Sequence, residues 1–245
     1  MKKIGDTELI INDKKRIYHL NLKKEEIADK IILVGDPSRV SQVSKKFEKI
    51  LFKIQHREFI THTGIFNNKK ISVISSGIGT DNIDIVINEL DAIVNIDLKT
   101  KEINENKKSL DIIRLGTSGS LNKKIALDTF IASEYTIGFD GLAHFYNNDN
   151  ILEKRLQKKF INHTKWDVKH AFPYAVRASD NLLKKFDEIE KGITLTATGF
   201  YAPQSRELRL KSSVRDLYDK IKDFKYNKCD ITNFEMETSA LYYLG

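Results

Sequence analysis

Short β-branched apolar runs alternate along this chain with segments of helical period. That alternation assigns it to the α/β class, with a largely parallel or mixed sheet. The ends of the runs point the same way. They pass into "GDPSR", "SGIGTDN", "RLGTSGS", "TGFYAPQSR" and "FEMET", each small, polar or charged. Open α/β sheets bind ligands in the crevice at the carboxyl ends of their strands, so these ends suggest one shared site.

The elements follow in order. "IILV" (31–34) reads as a buried strand, ended by Gly35 and by an Asp36-Pro37 pair suited to N-cap and first helical position. "PSRVSQVSKKF" then carries helical period, as does "NIDIVINELDAIV" after the strand "ISVIS" (71–75). The polar stretch "LKTKEINENKKS" (98–109) reads as an exposed insertion before the strand "LDIIRL" (110–115). "TFIASEYTI" (129–137), "ITLTAT" (193–198) and "CDITNFE" (229–235) complete the strands. "LKKEEIADK" and "ILEKRLQKKF" read as solvated helical faces. With no internal repeat and no clean boundary, the chain is taken as one domain over residues 1–245.

Composition narrows the function classes. The 245 residues are enough for one well-buried domain. The formal charge of +7 permits a nucleic-acid reading, but the lysines are scattered over helical polar faces. The same charge suits small anionic substrates by raising their local concentration. "MKKIGDTELIIND" lacks the apolar core of a secretory signal, and no apolar run approaches the roughly 20 residues that span a bilayer. Cys229, the single cysteine, cannot form an internal disulfide. A cytoplasmic protein without nucleic-acid or membrane partners is therefore expected.

Each motif admits a structural and a functional reading. In "VGDPSR", Arg39 falls in the first turn of a helix, where the dipole disfavours a cation. A bound anion would remove that conflict; a capped helix with a solvent-facing Arg39 is the plainer account. Arg114 lies within an apolar strand, where a cation needs an anion or an internal carboxylate. Thr117, Ser118, Gly119 and Ser120 follow it, offering hydroxyl and backbone donors for an oxyanion or phosphate cradle. The glycine spacing around Ser118 is not that of a hydrolase nucleophile elbow. "GIGTDN" imitates a dinucleotide fingerprint, but Asn82 takes the place of the third glycine. A tight strand-to-helix turn that brings backbone close to a ligand is the alternative. Glu235 and Glu237 flank Met236 where a strand becomes a helix. If the backbone is still extended there, both carboxylates share one side and can serve acid–base chemistry or hold vicinal hydroxyls. A charged turn opening a helix is the competing reading. The histidines show no metal-ligand spacing, so no metal is expected.

Taken together, "YHLNL", "VGDPSRV", "HREFITHTG", "ISSGIG", "RLGTSGSL", "TGFYAPQSR" and "NFEMETSAL" resemble the nucleoside phosphorylase family, and within it the uridine phosphorylases. The resemblance spans residues 18 to 245. It implies a single-domain, three-layer α/β/α fold with a central mixed, twisted sheet. It also implies phosphorolysis of uridine to uracil and ribose 1-phosphate, with phosphate as co-substrate and no cofactor. Its phosphate ligands fall on Gly35, Arg39, Arg114 and Thr117, with Arg57 supplied by a neighbouring subunit. Ribose would meet Glu237, Met236 and Thr117, with His19 reaching across the dimer contact. The base would meet Gln204, Arg206, Glu235, Phe200 in stacking and Gly119 beneath the ring. Arg114, Glu237 and Arg206 are the implied catalytic group, in a homohexamer built from dimers.

The residue types suit that chemistry. Gln204 and Arg206 lie two residues apart near Pro203, and an extended backbone would aim both at the carbonyl–NH–carbonyl edge of uracil, the amide oxygen taking the NH. The arrangement from Phe200 to Arg206 favours pyrimidine over purine. Two departures from the family pattern stand out. The 98–109 insertion is longer than in compact bacterial members, and the pattern calls for a further strand and closing helix after Gly245. Two alternatives follow: a same-fold purine phosphorylase or nucleosidase, and a non-catalytic nucleoside-binding subunit.

Overall fold

The structure, a computed structural model, describes residues 3–245. Residues up to 78 together with 82–116 form one compact unit, and residues 79–81 with 117–245 form a second.

The first unit is organised around β1 (Lys30–Val34), the "IILV" strand. It is followed by α1 (Pro37–Ser44), β2 (Lys49–His56), β3 (Phe59–Phe66), β4 (Lys69–Ser75) and α2 (Thr80–Asn95). A short pair, β5 (Ile96–Asp97) and β6 (Glu102–Ile103), precedes β7 (Asp111–Leu115). The sheet runs β2-β3-β4-β1-β7, with β1 parallel to both β4 and β7. Parallel strands buried on both faces need continuous apolar runs, which "IILV" and "ISVIS" supply. Asp36 caps α1 by accepting the Ser38 N–H at 2.8 Å, and Pro37 opens the helix. That hydrogen bond holds the exposed Asp36 carboxyl below its ordinary pKa. Val40 packs on Val34 and Val73, and the Ser44 hydroxyl lies 2.8 Å from Nδ1 of His62 on β3. Burial pushes the His62 pKa down, which favours the neutral ring at this contact.

Three features here go beyond the sequence reading. β2 and β3 form an antiparallel hairpin that the strand pattern passed over, because β2 alternates exposed and half-buried residues instead of running apolar. "LKKEEIADK" is not a helix but a single 3₁₀ turn, Lys24–Glu26, before β1. Glu26 is buried there, accepting the Lys23 N–H at 2.9 Å and both Arg16 guanidinium nitrogens at 2.5 Å. The 98–109 stretch is half-buried to exposed, as expected of an insertion, and is anchored as well: β5 pairs β6, and the Asn95 amide bonds both the N–H and the carbonyl of Lys108.

The second unit carries β8 (Gly119–Ser120), β9 (Ile131–Gly138), α3 (Lys154–Thr164), β10 (Tyr174–Arg177), α4 (Asp180–Leu183) and β11 (Glu190–Thr196). It continues with α5 (Leu217–Ile221), β12 (Lys225–Tyr226), β13 (Cys229–Glu235) and α6 (Thr238–Leu244). Its sheet runs β10-β9-β11-β13-β12, with β8 paired to β13. β9, β11 and β13 are parallel neighbours, and the edge strands β10 and β12 are antiparallel. Buried Tyr135, Ile137, Phe160, Leu195 and Phe234 anchor the core. On α3, Leu156, Phe160 and Thr164 are buried at a spacing of four, so "ILEKRLQKKF" is an amphipathic helix as read. Cys229 is buried, and burial beside Glu134 pushes its thiol up to about 12.

The mixed α/β class stands. The strands fall into two main sheets where one central sheet was expected. The ladder breaks at "GTSGS": β7 ends at Leu115, and Gly119 next pairs with Phe234 of β13. Among the described residues no helix is long and apolar enough to cross a membrane.

Candidate active site

Three of the residues read as phosphate ligands, Gly35, Arg39 and Arg114, meet at the end of β1. A carbon added to Gly35 would lie 3.6 Å from Nη2 of Arg39, 3.7 Å from Nη2 of Arg114 and 3.4 Å from the Gly77 carbonyl. Two guanidinium groups thus flank one stretch of backbone, an arrangement suited to a multiply charged oxyanion. The sheet register sets it up. Leu33 pairs Arg114 and Val34 pairs both Leu115 and Ser75, so three strand ends are level. Arg39 answers its unfavourable place in the first helical turn by donating to the Leu115 carbonyl at 3.0 Å. Arg114 differs from expectation. β7 is an edge strand, and the side chain is half-buried rather than sunk in an apolar core. Its guanidinium folds over Gly116, where an added carbon would come 2.0 Å from Nη1, so a side chain there would displace the guanidinium from this position.

Arg57 and His19 form a second cluster in the same unit. Arg57 occupies the β2–β3 turn with φ 53°, exposed, its guanidinium 5.7 Å from the Tyr18 ring centroid. His56, beside it, places Nδ1 2.8 Å from the His19 carbonyl. The two residues expected to serve a neighbouring subunit therefore share one local support.

In the second unit the two carboxylates of "FEMET" divide their work. Glu237 is buried, and its Oε1 accepts the Gly79 N–H at 2.9 Å. This resolves the partial dinucleotide fingerprint into a turn: Gly77 and Gly79 have φ of 71° and 99°, which favour glycine, and the freed N–H goes to a carboxylate. Glu235 is also buried but takes a different part. It accepts the Thr196 hydroxyl at 2.6 Å, the Glu237 N–H at 2.9 Å and the Thr238 N–H at 2.9 Å, so it caps α6. The common side expected for both carboxylates is not used in common, because the chain has already turned into the helix at Glu237. Met236 is half-buried between them. Beneath α6, Asp140 accepts the Tyr174 hydroxyl at 3.0 Å and the Ser239 hydroxyl at 2.8 Å. Burial and the Asp140 charge push the Tyr174 phenol up, keeping it a neutral donor.

Gly119, Phe200, Gln204 and Arg206 come together. The Arg206 guanidinium lies 4.1 Å from the Phe200 ring centroid, 3.3 Å from a carbon added to Gly119, and it donates to the Gln204 amide oxygen. The extended backbone expected here is absent. Residues Ala202–Gln204 form a 3₁₀ turn opened by Pro203, and Ser205 at φ 59° reverses the chain, so the two side chains meet across a turn. The amide oxygen expected for the base NH already accepts from Arg206, leaving its second lone pair. Thr117 is exposed, and Ser118 accepts from the Asn233 amide at 2.9 Å.

Tyr218 was not foreseen. Its hydroxyl donates to the Gln204 carbonyl at 2.6 Å, and it lines a cavity of about 400 Å³ with Gly119, Arg206 and Phe234. "VRDLYDKI" carries no motif, so only the folded chain brings it forward. Among the described residues no group of three His, Cys, Asp or Glu side chains is placed to hold a metal ion.

Residues 29–245 match the phosphorylase superfamily, and the chain belongs to that family. It is 27% identical over 231 residues to a uridine phosphorylase of Thermococcus kodakarensis, covering 93% of this chain and 71% of that one. It is 28% identical to a DeoD-type purine nucleoside phosphorylase of Streptococcus thermophilus, with coverages of 93% and 79%. A Trypanosoma brucei nucleoside phosphorylase that shows uridine phosphorylase activity superposes with a TM-score of 0.82 at 29% identity, over 96% of this chain and 85% of that one.

The Glu235 cap yields a stability prediction. Glu235→Ala leaves two buried helical N–H groups and the Thr196 hydroxyl without their acceptor, which should cost at least about 2 kcal/mol. Glu235→Gln, which keeps one acceptor oxygen, should cost clearly less; denaturant midpoints of the two variants check the order.

Proposed function

We propose that this protein is a uridine phosphorylase, a pentosyltransferase of nucleoside salvage that needs no cofactor beyond inorganic phosphate. The observation that carries the reading is the pair of guanidinium groups, Arg39 and Arg114, around the Gly35 backbone. An oxygen of the phosphate they hold forms a bond to C1′ while the C1′–N1 bond breaks and its electron pair leaves with the base. The departing uracil is then protonated from solvent. Positive charge grows on the sugar beside a bound dianion, so fixed electrostatics supply most of the rate gain.

Thr117 contributes a hydroxyl to the phosphate, and Arg57 adds a third guanidinium from a neighbouring subunit. Glu237, with Met236 against the sugar, holds the vicinal hydroxyls in a positioning role. Its buried carboxylate, already fixed by the Gly79 N–H, supports that assignment. His19 reaches the sugar across the subunit contact. Arg206, Gln204 and Phe200, with Gly119, receive the base; the Arg206–Gln204 contact supports their acting as a unit. Glu235 is assigned to the cap of α6 and not to the base. With Arg57 and His19 assigned to a neighbouring subunit's site, this reading calls for a closed symmetric assembly, a homohexamer built from dimers. A single buried cysteine fits a cytoplasmic enzyme.

Five measurements test this reading. Phosphate-dependent release of uracil from uridine should be observed, with inosine a poor substrate; binding without turnover would instead favour a nucleoside-binding subunit. Arg114→Ala should lose phosphate affinity and turnover together, by about 2–5 kcal/mol in transition-state terms. Mixed assemblies of Arg57→Ala and Arg114→Ala chains should regain some activity, and proven mixed oligomers that stay inactive would oppose site sharing. Uridine should exceed cytidine by at least about tenfold, because the amino group of cytosine faces donors and leaves them unpaired. Gln204→Leu should narrow that gap while phosphate dependence stays. Discrimination left untouched by this change would refute the pyrimidine assignment.

A further inference from the structure

We infer that Glu89 is a positioning residue for His19: it holds the proton on Nδ1 and presents Nε2 of the neutral ring as the acceptor for a substrate hydroxyl. The inference deepens the proposed function, since it rests on His19 serving the sugar.

Glu89 lies on α2, and its side chain is 13% exposed. Its Oε1 sits 2.7 Å from His19 Nδ1 and 2.9 Å from the His19 N–H. Oε2 accepts the Leu20 N–H at 2.8 Å and the His19 N–H at 3.1 Å. One carboxylate therefore holds the backbone and the ring of the same residue. A carboxylate only accepts, so the ring nitrogen facing it carries the proton, and Nε2 of the neutral imidazole is left with a lone pair. The setting restricts the ring further. Tyr18 stands edge-on to it at 4.8 Å, the His19 carbonyl lies 2.8 Å from His56 Nδ1, and Leu20 is buried. The His19 side chain nevertheless keeps 31% of its surface exposed, enough to meet a ligand.

The hydroxyl follows from the sugar's chemistry. A ribonucleoside carries a vicinal 2′,3′ pair, assigned above to Glu237, and one remaining hydroxyl at 5′. Backing an imidazole with a carboxylate raises the acceptor strength of its far nitrogen, as second-layer carboxylates do for ligating histidines.

Glu89→Gln separates this role from simple support. The amide oxygen can face the two backbone N–H groups, but the amide nitrogen then meets Nδ1 and donates to it. The proton is displaced to Nε2. Nitrogen-15 NMR of the ligand-free protein at mildly alkaline pH should show His19 protonated on Nδ1 in the wild type and on Nε2 in Glu89→Gln. The ratio of kcat/KM for uridine over 5′-deoxyuridine should fall at least about threefold in the variant, with the KM for phosphate unchanged. A wild-type proton on Nε2, an unchanged tautomer in the variant, or equal losses on both nucleosides would overturn the role. If wild-type enzyme does not cleave uridine, the proposed function falls, and the NMR comparison still decides whether Glu89 sets the ring.

Discussion

The meeting of Arg39 and Arg114 at Gly35 hangs on β1 taking parallel partners on both sides. Its register brings Val34 level with Ser75 and Leu115, so three strands finish at one height. The Ser76 N–H closes that edge by donating to the Val34 carbonyl at 2.8 Å. Beyond the last rung the backbone must turn three times, and each turn exposes polar main chain close to the others. Asp36 and Pro37 turn one strand into α1, the paired glycines turn the second into α2, and Gly116 makes room for the Arg114 side chain. The two guanidinium groups are consequences of this alignment. Shifted by one residue, β7 would carry Arg114 to its other face and separate the pair.

A similar economy governs α6. A helix this short cannot rely on propensity, and its orphan N–H groups are buried. Glu235 answers them from the last residue of β13, and Thr196 of the neighbouring strand β11 ties that carboxylate to the sheet. With the cap supplied from outside, Glu237 is released from capping its own helix and turns to the Gly79 N–H instead. Two acidic residues two positions apart thus differ because one is spent on the fold.

How much of this the sequence discloses depends on the period of the signal. β1, β4, β7, β9, β11 and β13 are apolar enough to be read directly, and the Asp36-Pro37 cap and Gly77–Gly79 turn are legible from residue type. The β2–β3 hairpin was missed because "KILFKIQH" alternates, and its turn uses Arg57 at positive φ where glycine or asparagine would have announced it. The 3₁₀ turn at Ala202–Gln204 was misread as extended because Pro203 is compatible with both conformations. Glu89 sits in a helix whose period explains it as a polar face, and nothing nearby in sequence pairs it with His19, seventy positions earlier. Sites whose partners are distant in sequence stay silent until the chain is folded.

The cluster of Phe200, Gln204 and Arg206 shows why residue type alone underdetermines a role. Gln204 is buried, and its amide oxygen already accepts from Arg206, which also donates to the Phe200 carbonyl at 2.9 Å and covers the Phe200 ring. Arg206 is therefore held on three sides by its own loop, with Tyr218 fixing the Gln204 backbone from α5. A guanidinium constrained this way is a preorganised donor: its orientation is set in advance, so less is lost on meeting an acceptor than for a freely moving side chain. The amide then acts chiefly through the arginine it orients, and through the lone pair the arginine does not use. On the proposed assignment, discrimination between bases would come less from the number of donors than from their rigidity, because a donor that cannot turn away makes a mismatched amino group costly.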